Sequence, residues 1–175
     1  MENLLDNYFQ MVSRVDALCR GIRAVLGARI TCSEGCSSCC TAITLFPVEA
    51  AALNAALAAL PEARQAAIRR HVAEQAGGER CPLLEDHRCL LYAARPIICR
   101  THGLPIVYTE GRERKVDCCP LNLGEGEQPL PGSAIIDLDR LNTLLVAVNA
   151  LFLSQAAAGG LPERLTIAEA LKVKP

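Results

Sequence analysis

The chain has 175 residues, of which 51% are hydrophobic and 21% are charged, with 18 basic and 19 acidic side chains. This length fits one compact domain, and the high apolar fraction with a net charge of −1 excludes an intrinsically disordered protein. Near-neutral charge, 3% aromatic residues and the absence of tryptophan argue against a nucleic-acid-binding protein, so no nucleic-acid partner is expected.

The start of the sequence predicts a cytoplasmic protein. Acidic residues Glu2 and Asp6 come early, and the basic region and apolar run of a secretory signal are missing. The most apolar stretch, residues 141–158, is interrupted by Asn142 and Asn149, so we interpret it as a core helix rather than a membrane span. In a reducing compartment, cysteines stay as free thiols that bind metals or take part in redox chemistry.

Apolar spacing predicts a mainly α-helical fold, with a single domain over residues 1–175. The first amphipathic helix is predicted over residues 3–27. Its expected buried face consists of Leu4, Tyr8, Met11, Val12, Val15, Leu18, Cys19, Ile22, Val25 and Leu26. Cys19 lies within this face, apart from every other cysteine, and is interpreted as a buried core thiol.

Two further helices are predicted to form an antiparallel pair. Pro47 and Glu49 are typical of a first helical turn and open an Ala-rich helix that reaches about Leu60. The next helix starts at Pro61 and ends near Gly77. Because the connection between them is so short, the two helices should pack side by side.

A short β-hairpin is predicted in the second half of the chain. Residues 104–108 and 115–118 would be its strands, with a turn at residues 109–112. Residues 120–133, which are rich in proline and glycine, are interpreted as a loop.

The C-terminal part predicts one long helix and one short helix. The expected buried face of the long helix consists of Leu138, Leu141, Leu144, Leu145, Val148, Leu151 and Phe152. Thr166 and Glu169 match a capping box at the start of a short terminal helix.

Nine of the ten cysteines form two groups along the sequence. They are Cys32, Cys36, Cys39 and Cys40, then Cys81, Cys89, Cys99, Cys118 and Cys119. Two pairs, 39–40 and 118–119, are adjacent, and consecutive Cα atoms lie about 3.8 Å apart, below the usual disulfide range of about 4.4–6.8 Å. A disulfide framework would need distant partners for all of these residues and would leave one of the nine unpaired.

The spacing of these cysteines indicates metal coordination. Cys36-x2-Cys39 and Cys32-x3-Cys36 are short enough for their thiolates to reach one ion, at about 2.3 Å for zinc. The second group would supply further ligands, so that metal staples a cysteine-rich loop region, residues 32–119, to the helical domain. Adjacent cysteines point in diverging directions, so each pair could serve two metals, or one metal and its surroundings.

Arginines near the cysteines are candidates for charge compensation. Arg88, Arg95 and Arg100 could offset thiolate charge through N–H···S contacts, and the positions of Arg95 and Arg100 beside Pro96 and Cys99 favour these two.

Histidines are weaker candidates. His102 follows Cys99 by three residues and is an alternative ligand. His87 in a polar loop and His71 on a charged helix are less expected to bind metal.

The cysteines and their neighbours resemble a bacterial cysteine-cluster family. The matching residues are Cys32-x3-Cys36-x2-Cys39-Cys40, Cys81-Pro82-Leu83, Cys89, Tyr92, Arg95-Pro96 and Cys99-Arg100. The family pattern is written CxxCxxCC followed by a CP…C…Y…RP…CR block, and the family is described as a zinc- or iron-chelating domain. The resemblance spans residues 32–100, with Cys118 and Cys119 as a continuation, and departs from the pattern in its first spacing. It implies metal chelation.

A second interpretation of the first cysteine group is disfavoured by the expected fold class. Cys32-x3-Cys36-x2-Cys39 also has the spacing of a radical S-adenosylmethionine cluster, but a mainly helical chain lacks the repeated strand–helix units of that barrel.

Several functions remain open for a cysteine-rich metalloprotein. An iron–sulfur cluster would serve electron transfer or redox sensing, whereas a closed zinc site would be structural and would point to a protein partner. Thiolates suit both metals, so cysteine spacing does not choose between them. A zinc-dependent hydrolytic or group-transfer enzyme would need a carboxylate base, for which the candidates are Glu34, Glu85, Asp86 and Asp117. A thiol-based metal store or chaperone is the third class.

Overall fold

A computed structural model describes residues 4–33, 35–124, 129–156 and 162–172. The helices in these ranges are α1 (Asp6–Leu26), α2 (Pro47–Ala58), α3 (Glu62–Glu74), α4 (Ile97–Thr101), α5 (Leu138–Gln155) and α6 (Ile167–Ala170). The strands are β1 (Thr44–Leu45), β2 (Leu84–Glu85), β3 (Arg88–Cys89), β4 (Ile106–Glu110), β5 (Glu113–Asp117), β6 (Ile136–Asp137) and β7 (Leu165–Thr166). The described part of the chain is mainly helical, as predicted.

Helix α1 confirms the first predicted helix, but its buried face is narrower than expected. The side chains that it buries are Tyr8, Met11, Val15, Cys19, Ile22 and Leu26. Leu4, Leu18 and Val25 are exposed by 43%, 41% and 55%, so their assignment to the buried face was wrong. Leu18 and Val25 lie at the edge of the buried face of α1. A sequence pattern does not show how far the buried face extends around a helix.

Helix α2 takes part in two hydrophobic clusters. Val48 and Ala52 pack in one cluster with residues of α1 and α5. Leu53 and Leu57 pack in the other with residues of α3 and α6. Helix α3 ends at Glu74, a few residues before the predicted end, because a turn precedes the glycines.

The strands form small sheets, one of which the sequence predicts. Strands β4 and β5 pair antiparallel, which confirms the predicted hairpin, although the strands extend further into the predicted turn. Gly111 has φ +64° in this turn, a conformation that suits glycine. Strand β6 adds parallel to β4, β2 pairs with β3, and β1 pairs with β7. These additional strands are two residues long, too short for a recognisable alternating pattern.

Helix α5 is confirmed, with a smaller buried face than predicted. Leu141, Leu145 and Phe152 are buried, whereas Leu144 and Leu151 are exposed by 51% and 42%. The prediction placed both exposed leucines in the core because their spacing continues the apolar stripe.

Polar side chains from the C-terminal part of the chain cap the starts of α2 and α6. Buried Asn149 accepts a hydrogen bond through its Oδ1 from the backbone N–H of Val48 at 3.1 Å, and so caps α2. Thr166 and Glu169 form the predicted capping box of α6.

Within the described ranges, none of these helices combines the length and apolarity needed to cross a lipid bilayer.

Glu49 connects the starts of α2 and α4. Its side chain is buried, its Oε2 accepts from the N–H of Phe46 at 3.1 Å, and its Oε1 accepts from the N–H of Ile97 at 3.1 Å. Phe46 precedes α2 and Ile97 begins α4. One carboxylate therefore caps both helices and holds the helix that carries Cys99.

Replacing Glu49 with glutamine should lower the free energy of unfolding by about 1–3 kcal/mol, because a single amide oxygen cannot accept both bonds and a buried N–H is left unpaired. Urea unfolding at neutral pH measures the change. The matched control is Glu62→Gln at the exposed start of α3, which should cost less than about 0.5 kcal/mol. Equally small losses in both variants would contradict the double cap.

Burial also gives Glu49 a pH-dependent effect on stability. It raises the pKa of this carboxyl above the ordinary 4.5, while the Phe46 and Ile97 amides and the Arg164 charge oppose the shift. The folded protein holds the proton more tightly than the unfolded chain, so this contribution is full below pH 4.5 and is lost as the pH rises through the folded-state pKa. The stability difference between wild type and Glu49→Gln should therefore shrink over that pH interval.

Candidate metal centre

A cavity of about 730 Å³ lies where the cysteine-rich segments meet. The cysteines that line it are Cys19, Cys32, Cys36, Cys39, Cys40, Cys81, Cys89 and Cys99. All ten cysteines are free thiols, as expected. Cys19 is buried in the core and its thiol donates to the Arg100 carbonyl at 3.6 Å, which confirms its interpretation as a core residue.

Backbone pairing places Cys40 beside Cys81, although the two belong to different groups in the sequence. The N–H of Cys81 donates to the carbonyl of Cys40 at 3.1 Å. Thr41 and Arg80 lie opposite each other in an antiparallel bridge. Cys40, the last cysteine of the first group in the sequence, therefore lies next to Cys81, the first cysteine of the second group.

The β2–β3 hairpin brings Cys89 back towards Cys81. Both residues of its turn, 86–87, have positive φ, as a two-residue hairpin turn of type I′ requires. The backbone amide of Leu83 lowers the pKa of the Cys81 thiol and that of Leu91 lowers the pKa of the Cys89 thiol, although burial raises both. The two cysteines thus share one local arrangement, in which the amide two residues further along stabilises the thiolate and orients it.

Helix α4 supplies Cys99 and is anchored by Arg100. The Arg100 Nη1 donates to both carboxylate oxygens of Asp16 in α1, at 2.8 and 3.0 Å. Its Nε and Nη2 donate to the carbonyls of Arg95 and Ala93 at 2.7 and 2.6 Å. We expected Arg100 to donate to a thiolate sulfur, and this expectation was wrong. Its guanidinium nitrogens instead donate to Asp16 in α1 and to backbone carbonyls of the turn before α4.

Cys40, Cys81, Cys89 and Cys99 form one group, here called the cysteine quartet. Burial raises the pKa of the Cys99 thiol to about 12 and that of Cys81 to about 11. The other three thiols raise the pKa of Cys99 as well, which reflects their closeness to it. The raised pKa values favour the protonated thiols of Cys81 and Cys99, so metal binding to these two would release protons.

Arg95 is a cation that faces the quartet. Its charge lowers the pKa of Cys99 and Cys89, against the larger opposing effect of burial. Its guanidinium lies 3.6 Å from the centre of the Tyr92 ring, and its Nε donates to the Tyr92 carbonyl at 3.0 Å. This position agrees with the expected compensation of thiolate charge, whereas Arg88 lines the cavity as an exposed side chain.

Cys32, Cys36 and Cys39 lie along another part of the cavity wall. The N–H of Cys36 donates to the carbonyl of Ser33 at 3.1 Å, so the segment turns between these cysteines. Burial raises the pKa of the Cys39 thiol, and the thiols of Cys40, Cys36 and Cys32 raise it further. The three cysteines are therefore close enough to influence one another electrostatically.

A second cavity, of about 580 Å³, contains the remaining cysteines. Cys118 and Cys119 line it together with Cys39, which borders both cavities. Cys40 shares the main cavity with Cys39 and does not line the second one.

Gly103 and Asn122 bring Cys32 close to Cys119. Gly103 has φ +87°, and a Cβ at this position would lie 2.9 Å from the Cys32 Sγ and 3.6 Å from the Cys119 Cβ. Buried Asn122 donates through Nδ2 to the Cys32 Sγ at 3.2 Å and to the Gly103 carbonyl at 2.5 Å. Its Oδ1 accepts from the N–H of Thr31 at 2.9 Å.

Replacing Gly103 with alanine should lower the free energy of unfolding by about 2–4 kcal/mol, because positive φ and the contact with the Cys32 sulfur both oppose a side chain. The matched control is Gly111→Ala, which has φ +64° but nothing within 4 Å of its added Cβ. It should cost only the backbone term, about 1–2 kcal/mol. Urea unfolding of both variants measures the difference, and equal losses would show that the close approach of Cys32 is unimportant.

The histidines differ in their distance from the thiols. His102 follows α4 and lines both cavities, which keeps it a candidate ligand. His87 lines the main cavity, and its Nδ1 shares a hydrogen bond with the Ser37 Oγ at 2.9 Å. His71 lies 3.6 Å from the Glu85 carboxylate and does not line either cavity.

The geometry offers little support for a carboxylate general base. Among the described residues that line the main cavity, Asp16 is the one carboxylate, and it pairs with Arg100. Asp117 lines the second cavity and accepts from the N–H of Cys118 at 2.7 Å. Glu85 and Asp86 are exposed in the β2–β3 hairpin, and Glu34 lies outside the described residues.

The thiols surround the main cavity rather than meeting at one point. In the described ranges, no three Cys, His, Asp or Glu side chains are already close enough together to hold a single ion. The donors are nevertheless thiols in an environment that includes Leu53, Leu83 and Leu91, and this chemistry suits zinc and iron. The residues fit a metal group that spans the cavity, or a single ion after closure of the thiols around it.

Three supporting residues were not identified as such from the sequence. Glu49 was recognised as a first-turn residue, but its bond to Ile97 depends on the tertiary fold. Gly103 follows a short helix, a position where glycine often adopts positive φ, and this signal was available. No local pattern marks Asn122, whose partners lie far from it in the sequence.

A comparison with known families identifies a match for the cysteine-rich part of the chain. A family model described as "CxxCxxCC: Putative zinc- or iron-chelating domain" matches residues 31–120, which is more than half of the chain. No curated protein and no solved structure matches the chain. The match agrees with the resemblance inferred from the cysteine pattern.

Proposed function

The chain belongs to the CxxCxxCC family of zinc- or iron-chelating domains, and we propose that its cysteine quartet binds an iron–sulfur cluster for electron transfer or redox sensing. Family membership supports chelation of zinc or iron. The observation that carries the choice of site is the approach of Cys40, Cys81, Cys89 and Cys99, from separate segments, to one cavity.

The spread of the thiols favours a cluster over a single ion. A zinc ion bonds its sulfur ligands at about 2.3 Å, so all four must meet at one point. The cavity measures about 730 Å³, and the donors in the described part of the chain do not converge in this way. A cluster carries its ligands on several iron atoms, so its thiolates stand further apart.

The surroundings of the quartet suit a redox centre. A bound cluster would supply one-electron chemistry, with a potential set by hydrogen bonds to sulfur, charge and solvent exposure. The amides of Leu83 and Leu91 lower the pKa of Cys81 and Cys89 and so favour their thiolates, and Arg95 contributes positive charge. These groups would stabilise the added negative charge of the reduced state, while the leucine side chains limit access of water.

A structural zinc site is the second candidate. The β2–β3 hairpin carries Cys81 and Cys89, each with the same amide two residues further along, and such a rigid pair also suits one tetrahedral ion. In this case the metal would fix the fold, and the function would lie in binding a protein partner.

Anaerobic purification followed by measurement of iron, zinc, acid-labile sulfide and the visible spectrum distinguishes these candidates. We expect iron together with a matching amount of acid-labile sulfide. The visible spectrum should show absorbance at about 400 nm that bleaches on reduction. Colourless protein with stoichiometric zinc and no sulfide would reject the cluster in favour of structural zinc. Protein that binds neither metal would reject both.

A further inference from the structure

We propose that the wall of the main cavity carries a docking surface for an acidic electron-transfer protein. This surface, here called the arginine surface, consists of Arg20, Arg23 and Arg95 together with the exposed side chains of Tyr92 and Ile98. The inference rests on the proposed function, because it names the class of partner that would exchange electrons with a cluster in the quartet.

The side chains that line the main cavity are strongly biased towards positive charge. The chain as a whole has 18 basic and 19 acidic residues. Asp16 is the one carboxylate among the described lining residues, and its Oδ2 lies 2.8 Å from the Arg100 guanidinium, so this pair adds no net charge. The arginines that line the cavity are Arg20, Arg23, Arg88, Arg95 and Arg100. Positive charge is therefore concentrated around the quartet in a chain that is nearly neutral overall.

Helix α1 holds two of these arginines on one rigid face. Arg20 and Arg23 follow Asp16 by four and seven residues, so the three side chains lie along the same side of the helix. Both arginines are exposed, and no carboxylate in the described ranges forms an ion pair with either of them. The Arg23 Nη1 donates to the Cys32 carbonyl at 3.3 Å, an uncharged acceptor that leaves the arginine charge uncompensated.

The third arginine adds apolar contact area to the charge. The Arg95 guanidinium lies 3.6 Å from the centre of the Tyr92 ring, and Tyr92 is 51% exposed. Arg23 and Arg95 both lower the pKa of the Cys19 thiol, which indicates that they approach the same part of the cavity. Arginine and tyrosine are among the residues most enriched at the energetic centres of protein interfaces. The arginine surface therefore has the composition of a protein-binding site.

The arginine surface lies next to a ligand of the proposed cluster. Ile98, which is 38% exposed, directly precedes Cys99 in α4, and both residues line the main cavity. A partner seated on Ile98 and Tyr92 would thus approach the quartet closely, and a short distance between redox centres is what electron transfer requires.

The chemistry and size of this surface favour an acidic protein as the partner. A guanidinium pairs with carboxylates through two parallel hydrogen bonds. Electron-transfer encounters bury less than about 1,200 Å² and gain their speed from complementary charges, so a few arginines around an apolar contact are sufficient. A nucleic acid would require a longer basic surface with several stacking rings, whereas Tyr92 is the one aromatic ring among the described lining residues.

Electron transfer to two protein probes of opposite charge tests the docking surface. The anaerobically purified holo protein is reduced with dithionite, freed of excess reductant and mixed in a stopped-flow instrument with plastocyanin, an acidic copper protein, or with cytochrome c, a basic haem protein. One ferrous iron of the cluster becomes ferric, and its electron reduces Cu(II) to Cu(I) or haem Fe(III) to Fe(II). We expect the second-order rate constant for plastocyanin to fall by about 10-fold or more between low and high ionic strength, whereas that for cytochrome c should not fall.

Charge-reversed variants locate the effect on the protein. Arg20→Glu and Arg23→Glu should each lower the plastocyanin rate constant by about 3–10-fold at low ionic strength, without lowering that of cytochrome c. The matched control is Arg70→Glu, which changes the net charge equally at an exposed position of α3 that lines neither cavity. Iron content and visible spectrum should be the same in all three variants. Arg20→Glu keeps the test valid if loss of the bond between Arg23 and the Cys32 carbonyl impairs folding.

Failure of the docking surface differs from failure of the proposed function. Equal plastocyanin rate constants in Arg20→Glu, Arg23→Glu and Arg70→Glu would overturn the docking surface and leave the cluster in place. Binding to phosphatidylglycerol vesicles that only Arg20→Glu and Arg23→Glu abolish, with unchanged plastocyanin rates, would assign the arginines to a lipid surface and also overturn it. Protein without a bleaching cluster, which passes no electron to either probe, would reject the proposed function and the docking surface with it.

Discussion

Removal of the bound metal by a chelator should lower the melting temperature by about 10 °C or more, since losing several kcal/mol shifts a domain of this size by about 2–4 °C per kcal/mol. The reason lies in the segments that carry the thiols. Residues 30–43 contain turns and one bridged residue, and residues 79–96 contain two-residue strands and a short 3₁₀ turn. Such segments make few backbone hydrogen bonds of their own, so we expect metal to contribute much of their folding free energy.

Calorimetry of the holo and chelated protein, combined with hydrogen exchange, measures this effect. Amides between residues 36–42 and 81–91 should lose protection on chelation, whereas those of α1 and α5, which pack in the first hydrophobic cluster, should keep it. Equal melting temperatures with and without metal would show that the metal is peripheral to the fold.

Replacing Cys99 with serine should abolish stoichiometric binding of the quartet metal. Cys99 extends from α4, which Arg100 and Glu49 fix in place, so no neighbouring thiol can readily take its position. The variant should melt below the wild-type holo protein, and a chelator should lower its melting temperature less than that of the wild type.

Cys19→Ala is the matched control for this experiment. Cys19 lines the same cavity and is also a buried thiol, but it belongs to the core face of α1 and donates to a backbone carbonyl. It should keep its full metal content despite a moderate loss of stability. Full metal in Cys99→Ser, or loss of metal in Cys19→Ala, would remove the distinction between ligand and core thiol.

The helices were predictable because each has a local periodic signal. Apolar residues that recur every seven positions, at Tyr8, Val15 and Ile22, identify α1. The Thr166–Glu169 capping box identifies α6. The edges of the buried faces were not predictable, because Leu18 and Leu144 continue the same apolar spacing. Whether such a residue is buried depends on which element packs beside it, and the local pattern carries no such information.

The candidate site was predictable as a set of residues but not as an arrangement. The cysteine pattern predicts metal ligands, whereas their division into groups depends on long-range pairing, such as the Thr41–Arg80 bridge. The β2–β3 hairpin also escaped prediction, because its Asp86–His87 turn lacks the glycine that usually marks such hairpins. The sequence therefore leaves open which cysteines are neighbours in space, for example that Cys40 lies beside Cys81.

X-ray absorption spectroscopy at the metal edge of the anaerobically purified protein tests the central claim most directly, namely that a metal is bound by the thiolates of Cys40, Cys81, Cys89 and Cys99. We predict an inner shell made of sulfur alone, with an additional iron–iron contribution from a cluster. The Cys99→Ser variant should lose this signal, and Cys19→Ala should keep it. An inner shell dominated by oxygen or nitrogen would contradict thiolate ligation.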